Sequence, residues 1–345
     1  MPSRIDPTKP TDLAVSGTLP LGLSGQLIGV GREGVIHWFH FHEGRVSYLA
    51  HSIGPRPAVK DVVAFDGSIL VYGDDHSVRQ VTIGIEDPRQ VDLPGHRRTV
   101  TCCPGCEPAS GELHLVAQDE GGSQGHVVIP AGALTRRNRP IIDAPTAIEG
   151  LAIGRDHVVF LAERMAGVAR RDGEARTTWA PTDAAAPHPV HTHRHDNTVV
   201  LLGLTPALER WSFGCEKGTL ERTILDPRAR RFAHADSSDS AGIQPVVWTT
   251  GGVTIGRHDV VGSQRRDLSL APDRPGDFAI VADATRPDTP DAGWFIGFVH
   301  HPTATAAYLR VLNTAAVKQP AIATIGIPQP VLRGLRCAWL QPPRR

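Results

Sequence analysis

This sequence lacks an excess of charge of either sign, because its 36 basic residues balance its 36 acidic residues and leave a formal net charge of zero. Such a chain lacks the electrostatic attraction that drives binding to nucleic acids and to anionic membranes, so neither partner is expected. It also lacks any apolar run approaching the roughly 18 residues of a membrane-spanning helix. Its first residues, MPSRIDPTKPTDL, lack the apolar core of a secretory signal. These absences predict a cytoplasmic protein without a membrane span.

Cysteine is scarce, and its number is odd: five residues in a chain of 345. A small, odd set does not form a disulfide framework. The segment CCPGC, which holds Cys102, Cys103 and Cys106, contains a Cys-x-x-Cys that could belong to a redox dithiol or to half of a zinc site. The residues that follow it, EPASG, are typical of a turn rather than of the helix that a redox motif opens, and no second Cys-x-x-Cys exists. The favoured interpretation is a turn with a buried thiol.

Helical periodicity is almost absent, since apolar residues rarely repeat at helical spacing for three turns. Short β-prone runs such as GVIHWFHF, DVVAFDGSILVYG and NTVVLLGL instead recur from end to end, between Gly, Pro and Asp turns. Asp66-Gly67 predicts a hairpin, because both central residues of a type I′ turn need positive φ. Glu43-Gly44 predicts a second hairpin. Many short strands at intervals of about 8–12 residues indicate a sandwich, a barrel or a propeller.

The length of the chain favours the propeller among these all-β folds. Seven four-stranded blades of roughly 45–50 residues each would account for it. No internal repeat is found, so WD40 and kelch arrays are not expected. Segments 226–245 and 262–276, rich in Asp, Arg, Ser and Pro, are interpreted as excursions between blades. The prediction is a single domain over residues 1–345, an all-β seven-bladed β-propeller.

Four stretches stand in order along the chain: GTLPLGLSGQLIGVG with HWFHFHEGRVSYL, CPGCEPASGELHLV, IEGLAIGRDHVVFLAE, and AIATIGIPQPVLRGLRCAWLQP. Together they resemble the signature regions of the carotenoid cleavage oxygenase family. The resemblance spans essentially the whole chain and implies a propeller of that family's type. It also implies one ferrous iron on the propeller axis, held by four histidines, which activates oxygen to cleave an alkene in an apolar tunnel.

The ligand positions that the resemblance implies are mostly occupied by other residues. The first falls on Cys103, the second on Glu149 and the fourth on Arg336. Only the third offers a histidine, either His191 or His193 in PHPVHTHRHDN.

The change at the fourth position decides against the family's iron. The guanidinium of Arg336 stays protonated and has no lone pair to give a metal, and a fixed cation repels a divalent ion in a low-dielectric cavity. The carboxylates that support the histidines in the family are changed as well, since Gln244 stands where a glutamate is expected and Asp277 fits only after a shift. A four-histidine iron centre is excluded on these residues, and we expect no cofactor.

What fills the place of the iron is left open between three interpretations. Glu149 and Arg336 are expected to pair, because a lone buried charge costs more than a hydrogen-bonded ion pair. The pair could simply fill the vacated cavity, or it could form a metal-free acid/base site in which desolvation and Arg336 tune Glu149 and a histidine shuttles a proton. The third interpretation is a remodelled metal site, for which the histidines of HPVHTHRH could act as chelators because alternate residues of a strand share one face.

The leading functional hypothesis is a metal-free enzyme of specialised (secondary) metabolism that acts on an apolar small molecule. Its expected reaction is oxygen-independent: a cyclisation, an isomerisation, or a lyase or dehydration step. The candidate catalytic residues are Glu149, Arg336, Cys103, His191 and His193. One alternative is a non-catalytic small-molecule-binding protein, and another is an iron-dependent alkene-cleaving dioxygenase with a remodelled metal site.

Overall fold

The structure is a computed structural model that describes residues 10–31, 34–52, 58–81, 89–90, 99–107, 110–132, 137–141, 144, 146–171, 177–195, 197–205, 207–214, 218–228, 232–235, 246–259, 264–283, 285–286, 292–303, 307–329, 331 and 334–341. Nearly all of the regular structure among them is β, and the helix described is one 3-10 turn, Thr314–Ala316.

The first strands in chain order are β1 (Thr11–Asp12), β2 (Val15–Gly17), β3 (Gly25–Val30), β4 (Val35–His42), β5 (Arg45–Ser52), β6 (Val59–Phe65), β7 (Ser68–Gly73), β8 (Val78–Val81), β9 (Arg89–Gln90), β10 (Thr99–Val100), β11 (Gly105–Cys106), β12 (Leu113–Gln118), β13 (Gln124–Ile129), β14 (Arg137–Pro140) and β15 (Ile148–Ile153). The later strands are β16 (His157–Ala162), β17 (Met165–Arg170), β18 (Thr178–Pro181), β19 (His188–His195), β20 (Thr198–Thr205), β21 (Ala207–Gly214), β22 (Thr219–Asp226), β23 (Phe232–Ala235), β24 (Val246–Gly251), β25 (Thr254–Asp259), β26 (Gln264–Ser269), β27 (Arg274–Ala282), β28 (Gly293–His300), β29 (Ala307–Asn313), β30 (Ala323–Gly326) and β31 (Arg336–Leu340).

These strands form seven sheets of four or five strands in the described part of the chain. Each of the seven is built mainly from strands that follow one another along the chain and pair as antiparallel neighbours, as in β15-β16-β17-β18 and β19-β20-β21-β22. Short connections between consecutive antiparallel strands are what the Gly, Pro and Asp turns of the sequence predict. The predicted fold class, all-β with a seven-bladed β-propeller, is confirmed.

Contacts divide the chain into two units. Unit 1 comprises Met1–Gly73, Val81–Pro88 and His234–Arg345, and unit 2 comprises Asp74–Gln80 and Arg89–Ala233. Sheets β1-β5-β4-β3-β31 and β2-β30-β29-β28-β27 belong to unit 1, and the three sheets formed by β10–β14, β15–β18 and β19–β22 belong to unit 2. Sheets β6-β7-β8-β9 and β23-β24-β25-β26 contain residues of both units. That residues 1–345 form a single domain stays a prediction.

Unit 1 joins the two ends of the described chain through its sheets. The last strand, β31, pairs with β3 and places Arg336 opposite Val30, while the early strand β2 pairs with β30 in the other sheet. Its core is built from large side chains that are almost fully buried, among them Phe39, Tyr48 and Phe298. The burial of such side chains is the main favourable term in folding, and here it fixes the strand that carries Arg336.

Unit 2 contains two described apolar clusters. One includes Trp211, Phe213 and Leu161, and the other includes Ile148 and Phe160. Within this unit β15 contacts β11 and β12 on the one hand and β19 on the other, so the edge strands of three successive sheets are neighbours.

Both predicted hairpins are confirmed by their backbone angles. Asp66 and Gly67 have φ of 47° and 71° and join β6 to β7, while Glu43 and Gly44 have φ of 48° and 73° and join β4 to β5. Positive φ at both central residues is the requirement of the type I′ turn from which the hairpins were predicted.

The interpretation of segment 262–276 as an excursion between blades is wrong. The segment contains β26 (Gln264–Ser269) and the first residues of β27. Its polar composition has a different cause, because β26 lies at the edge of its sheet and all of its residues are exposed or half-buried. In segment 226–245, residues 232–235 form β23, and residues 229–231 and 236–245 lie outside the described residues.

Candidate functional site

Four of the five candidate catalytic residues lie in unit 2, on or beside the edge strands of its three sheets. Cys103 lies between β10 and β11, Glu149 lies in β15, and His191 and His193 lie in β19. Because β15 contacts both β11 and β19, the structure places these residues on neighbouring segments of one unit.

Glu149 lies at an irregularity in β15, where the pairing with β16 shifts between Ile148 and Gly150. Its side chain is exposed, whereas both neighbours are buried. The expectation that Glu149 is desolvated is therefore corrected: the bulge turns its carboxylate towards solvent.

His191 and His193 alternate with Thr192 along β19 and so share one face of the strand. Their rings lie 5.7 Å apart between centroids, and both side chains are half-buried. Burial lowers the pKa of His191 to about 4, with smaller contributions in the same direction from His193 and His157. His191 is therefore a neutral imidazole at pH 7, with a ring nitrogen able to accept a proton.

One thiol of CCPGC, that of Cys102, is buried as predicted. The segment is not wholly a turn, because Gly105 and Cys106 form β11 and pair with β12. Cys102, Cys103 and Cys106 form no disulfide among the described residues. Cys102 is fully packed, and burial raises the pKa of its thiol to about 12. Burial also raises the pKa of Cys106 to about 11, with the charge of Glu107 adding to the effect. Thiols held in the protonated form are poor nucleophiles and poor metal ligands, so nothing here favours Cys102 or Cys106 as a nucleophile or ligand.

Arg336 lies in unit 1 as the first residue of β31, and it is half-buried. The backbone N–H of its neighbour Cys337 donates to Asp277 Oδ2 at 2.9 Å. The pKa of the buried Cys337 thiol is raised by burial first and then by the negative charges of Asp277 and Asp61, while Arg336 acts in the opposite direction. Arg336 therefore lies in a local group of charges that includes two aspartates.

The predicted pairing of Glu149 with Arg336 stays a prediction, since the two residues belong to different units. Of the two supporting positions, Asp277 is buried and hydrogen-bonded as described. Gln244 lies outside the described residues.

Sequence reasoning missed a hydrogen-bonded chain that fixes the candidate histidines. Asp156 Oδ1 lies 2.8 Å from His157 Nδ1, and His157 Nε2 lies 2.9 Å from the hydroxyl of Thr192, which stands between His191 and His193. Arg194, which lies in β19 with Thr192, also forms an ion pair with Asp156 at 3.4 Å. The available signal was the turn GRDH in the third family-like stretch, but nothing in the sequence joins it to Thr192, 35 residues away.

The residues present do not fit the four-histidine iron centre that the resemblance implies. In the described part of the chain, no group of three or more His, Cys, Asp or Glu side chains is arranged to hold a metal ion. His191 and His193 supply two imidazoles, and the guanidinium of Arg336 has no lone pair to add. No step of a reaction is therefore derived through iron.

Comparison with solved structures reveals close structural likeness at low sequence identity. Lignostilbene dioxygenase from Pseudomonas brassicacearum matches with a TM-score of 0.81 and 16% identity over 98% of this chain and 96% of its own. A variant of apocarotenoid oxygenase from Synechocystis matches with a TM-score of 0.79 and 14% identity over 97% of each chain. Its cobalt-substituted form gives a TM-score of 0.77 at 15% identity over 97% of each chain.

This is the carotenoid cleavage oxygenase fold. The fold that the resemblance implied is therefore confirmed over essentially the whole chain. Identities of this size establish the fold alone, and function has to be argued from the site. No protein-family model matches the sequence, and a search of curated proteins finds no match. Among the described residues, no helix has both the length and the apolar character needed to cross a membrane.

Proposed function

We propose that this chain is an enzyme of specialised metabolism that uses the carotenoid-oxygenase fold without its four-histidine iron. The proposed reaction is an oxygen-independent cyclisation, isomerisation, or lyase or dehydration step on an apolar small molecule, carried out in the cytoplasm. The observation that carries the proposal is the half-buried, neutral imidazole of His191, beside His193 and on a strand that contacts the strand of Glu149.

His191 is proposed as the group that removes a proton from the substrate. A general base must be unprotonated at the working pH and must be within reach of solvent or substrate. The low pKa of His191 meets the first condition and its half-buried side chain meets the second. A pKa near 4 makes it a weak base, so the transferred proton needs an onward acceptor. His193, whose ring centroid is 5.7 Å away, and the exposed carboxylate of Glu149 are proposed in that role.

Arg336 is proposed to stabilise negative charge that develops on the substrate, because its guanidinium stays cationic at any pH at which the protein is folded. The backbone beside Arg336 is anchored, since the N–H of Cys337 donates to the buried Asp277 at 2.9 Å. Cys103, half-buried between β10 and β11, is proposed to line the site.

An apolar substrate is supported by what the solved structures are named for, a lignostilbene dioxygenase and an apocarotenoid oxygenase. We propose a conjugated, mainly apolar molecule of comparable chemistry for this chain.

The exposure of Glu149 favours one alternative, a binding protein that retained the fold and lost the chemistry. A solvent-exposed carboxylate is typical of an ordinary surface group and lacks the enclosed surroundings of most catalytic carboxylates. Under this alternative Glu149→Gln and His191→Gln would leave ligand affinity intact and there would be no turnover to lose.

The proposal is tested with protein from which metal ions have been removed by a chelator. This protein is incubated in the absence of oxygen with a panel of apocarotenoids and stilbenes, and the products are analysed by mass spectrometry. The expected products have the substrate's mass, have lost water, or are two fragments whose masses add up to that of the substrate. His191→Gln should lower the rate by about 10²-fold or more, the usual contribution of a general base, while His188→Gln, an exposed histidine of the same strand, should leave it unchanged. Turnover that requires both oxygen and iron would contradict the proposal.

A further inference from the structure

Unit 2 contains a cavity of about 550 Å³ that the proposed function does not use. Its walls come from β12, β13 and β14, from the turn between β15 and β16, and from the residue that follows β17. Its volume lies in the range of small-molecule sites, roughly 300–1,000 Å³. We call it the arginine cavity, because Arg137, Arg155 and Arg171 line it.

Arg171 is held in a fixed position by several acceptors. Its Nη2 donates to Glu112 Oε2 at 2.6 Å and to Ser110 Oγ at 2.9 Å, and its Nη1 donates to the carbonyl oxygen of Arg155 at 3.1 Å. Glu107 lies 3.3 Å from Nη1. A guanidinium with this many partners is preorganised and loses little freedom when a ligand binds.

Asp156, the second acidic residue that lines the arginine cavity, also has partners of its own. Asp156 holds His157 through Oδ1 at 2.8 Å and pairs with Arg194 through Oδ2 at 3.4 Å. Both carboxylates that face the arginine cavity, Glu112 and Asp156, are therefore neutralised by arginines.

Arg137 and Arg155 are in a different position from Arg171. Both guanidinium groups are exposed, and neither makes an ion pair with another residue in the described ranges. Two positive charges thus face one cavity without a counter-ion from the described protein, and Arg155 is placed in the arginine cavity by a tight turn, in which the Gly154 N–H donates to the His157 carbonyl oxygen.

We propose that the arginine cavity binds a small molecule through an anionic oxygen group, a phosphate or a carboxylate, held by Arg137 and Arg155, while the ion pair of Arg171 with Glu112 keeps that carboxylate from repelling the ligand. A guanidinium presents two parallel N–H donors to such a group, and these charge-assisted bonds are the strong ones in proteins. The arginine cavity has room for more than the anionic group itself, so the rest of the molecule would lie beside Val128 and the neighbouring strands. The proposal does not depend on the reaction proposed above.

The test is a calorimetric titration of the full chain with inorganic phosphate and, separately, with succinate, each at constant ionic strength. Saturable binding of at least one probe is expected, and the probe that binds identifies the anionic group. Arg155→Gln should weaken binding about tenfold and the double variant Arg137→Gln/Arg155→Gln more strongly, the size expected for charge-assisted hydrogen bonds.

The matched control is Arg266→Gln, which removes an exposed arginine of β26 outside the arginine cavity and should change affinity less than twofold. Because Arg137 and Arg155 are exposed, all variants are expected to fold, which circular dichroism verifies. Absence of saturable binding for both probes, or equal binding by wild type and the double variant, would overturn the proposal.

Discussion

His157 Nε2 and the hydroxyl of Thr192 lie 2.9 Å apart, and both side chains are almost completely buried. The same hydroxyl lies 2.9 Å from the carbonyl oxygen of Val200, to which it donates. A side chain of β16 is thereby bonded to the middle of β19, between the two candidate histidines. We conclude that His157 positions His191 and His193 without belonging to the site itself.

Removing this contact should destabilise the protein. His157→Ala removes a buried ring together with its hydrogen bond to Thr192, whose hydroxyl keeps the Val200 carbonyl oxygen as its acceptor. The lost hydrogen bond and the cavity together cost about 1–3 kcal/mol. The free energy of unfolding, measured in urea, should fall by that amount. The exposed His42→Ala, on β4 of unit 1, serves as control and should change it by less than about 0.5 kcal/mol. Equal effects of the two substitutions would contradict the positioning role.

Gly154 should be as important to this contact as His157 is. A Cβ at position 154 would lie 2.2 Å from Cε1 of the His157 ring, so Gly154→Ala has to displace the imidazole. The expected loss is again about 1–3 kcal/mol, and it should not add to that of His157→Ala, because both substitutions break the same contact. Gly326→Ala, at a position with nothing within 4 Å of the new Cβ, is the control. Full additivity in the double variant would argue against the proposed link.

Glu209 should stabilise the sheet of β19–β22 through a buried network. It accepts from Arg222 at 2.7 Å through each of its oxygens, and from Trp211 and Thr205. Burial acts to raise its pKa, but these hydrogen bonds outweigh burial and the pKa is lowered. Glu209→Gln should therefore cost about 2 kcal/mol at pH 7, measured by chemical denaturation. Glu221→Gln, an exposed residue of β22, should cost much less.

The pH dependence of that effect has a definite sign. Because the folded-state pKa of Glu209 lies below its ordinary value of 4.5, its contribution is complete above pH 4.5 and is lost as pH falls through the lowered pKa. The stability difference between wild type and Glu209→Gln should accordingly shrink in acid. A stability difference that grows as pH falls would contradict the claim that the ionised Glu209 carboxylate stabilises this sheet.

His191 should remain neutral in the folded protein until about pH 4. The unfolded chain binds a proton at this residue near pH 6.5, so stability from the neutral form is complete above pH 6.5 and decreases as pH falls towards 4. NMR titration of the imidazole Cε1–H signal, assigned by its loss in His191→Gln, measures the pKa directly. A value of 6 or above would contradict the desolvation of the His191 ring in the folded protein.

Local rules predicted much of the fold from sequence. The turns at Asp66-Gly67 and Glu43-Gly44 are predictable because backbone positions with positive φ favour particular residues, above all glycine. The strands β4 and β20 are recognisable as short β-prone runs. Contacts between distant segments have no comparable signal in the sequence. The hydrogen bond from His157 to Thr192 joins residues on different sheets, and the exposure of Glu149 depends on a pairing shift in β15. Edge strand β26 was missed because half-exposed strands are as polar as loops.

The central claim, that the chain works without the iron of its fold, is tested most directly by elemental analysis. The full chain would be expressed without a histidine tag in iron-supplemented medium, and iron would be measured per chain in the purified protein. The expected content is far below one iron atom per chain. Iron near one atom per chain, retained after gel filtration, would contradict it and restore oxygenase chemistry as the function to test.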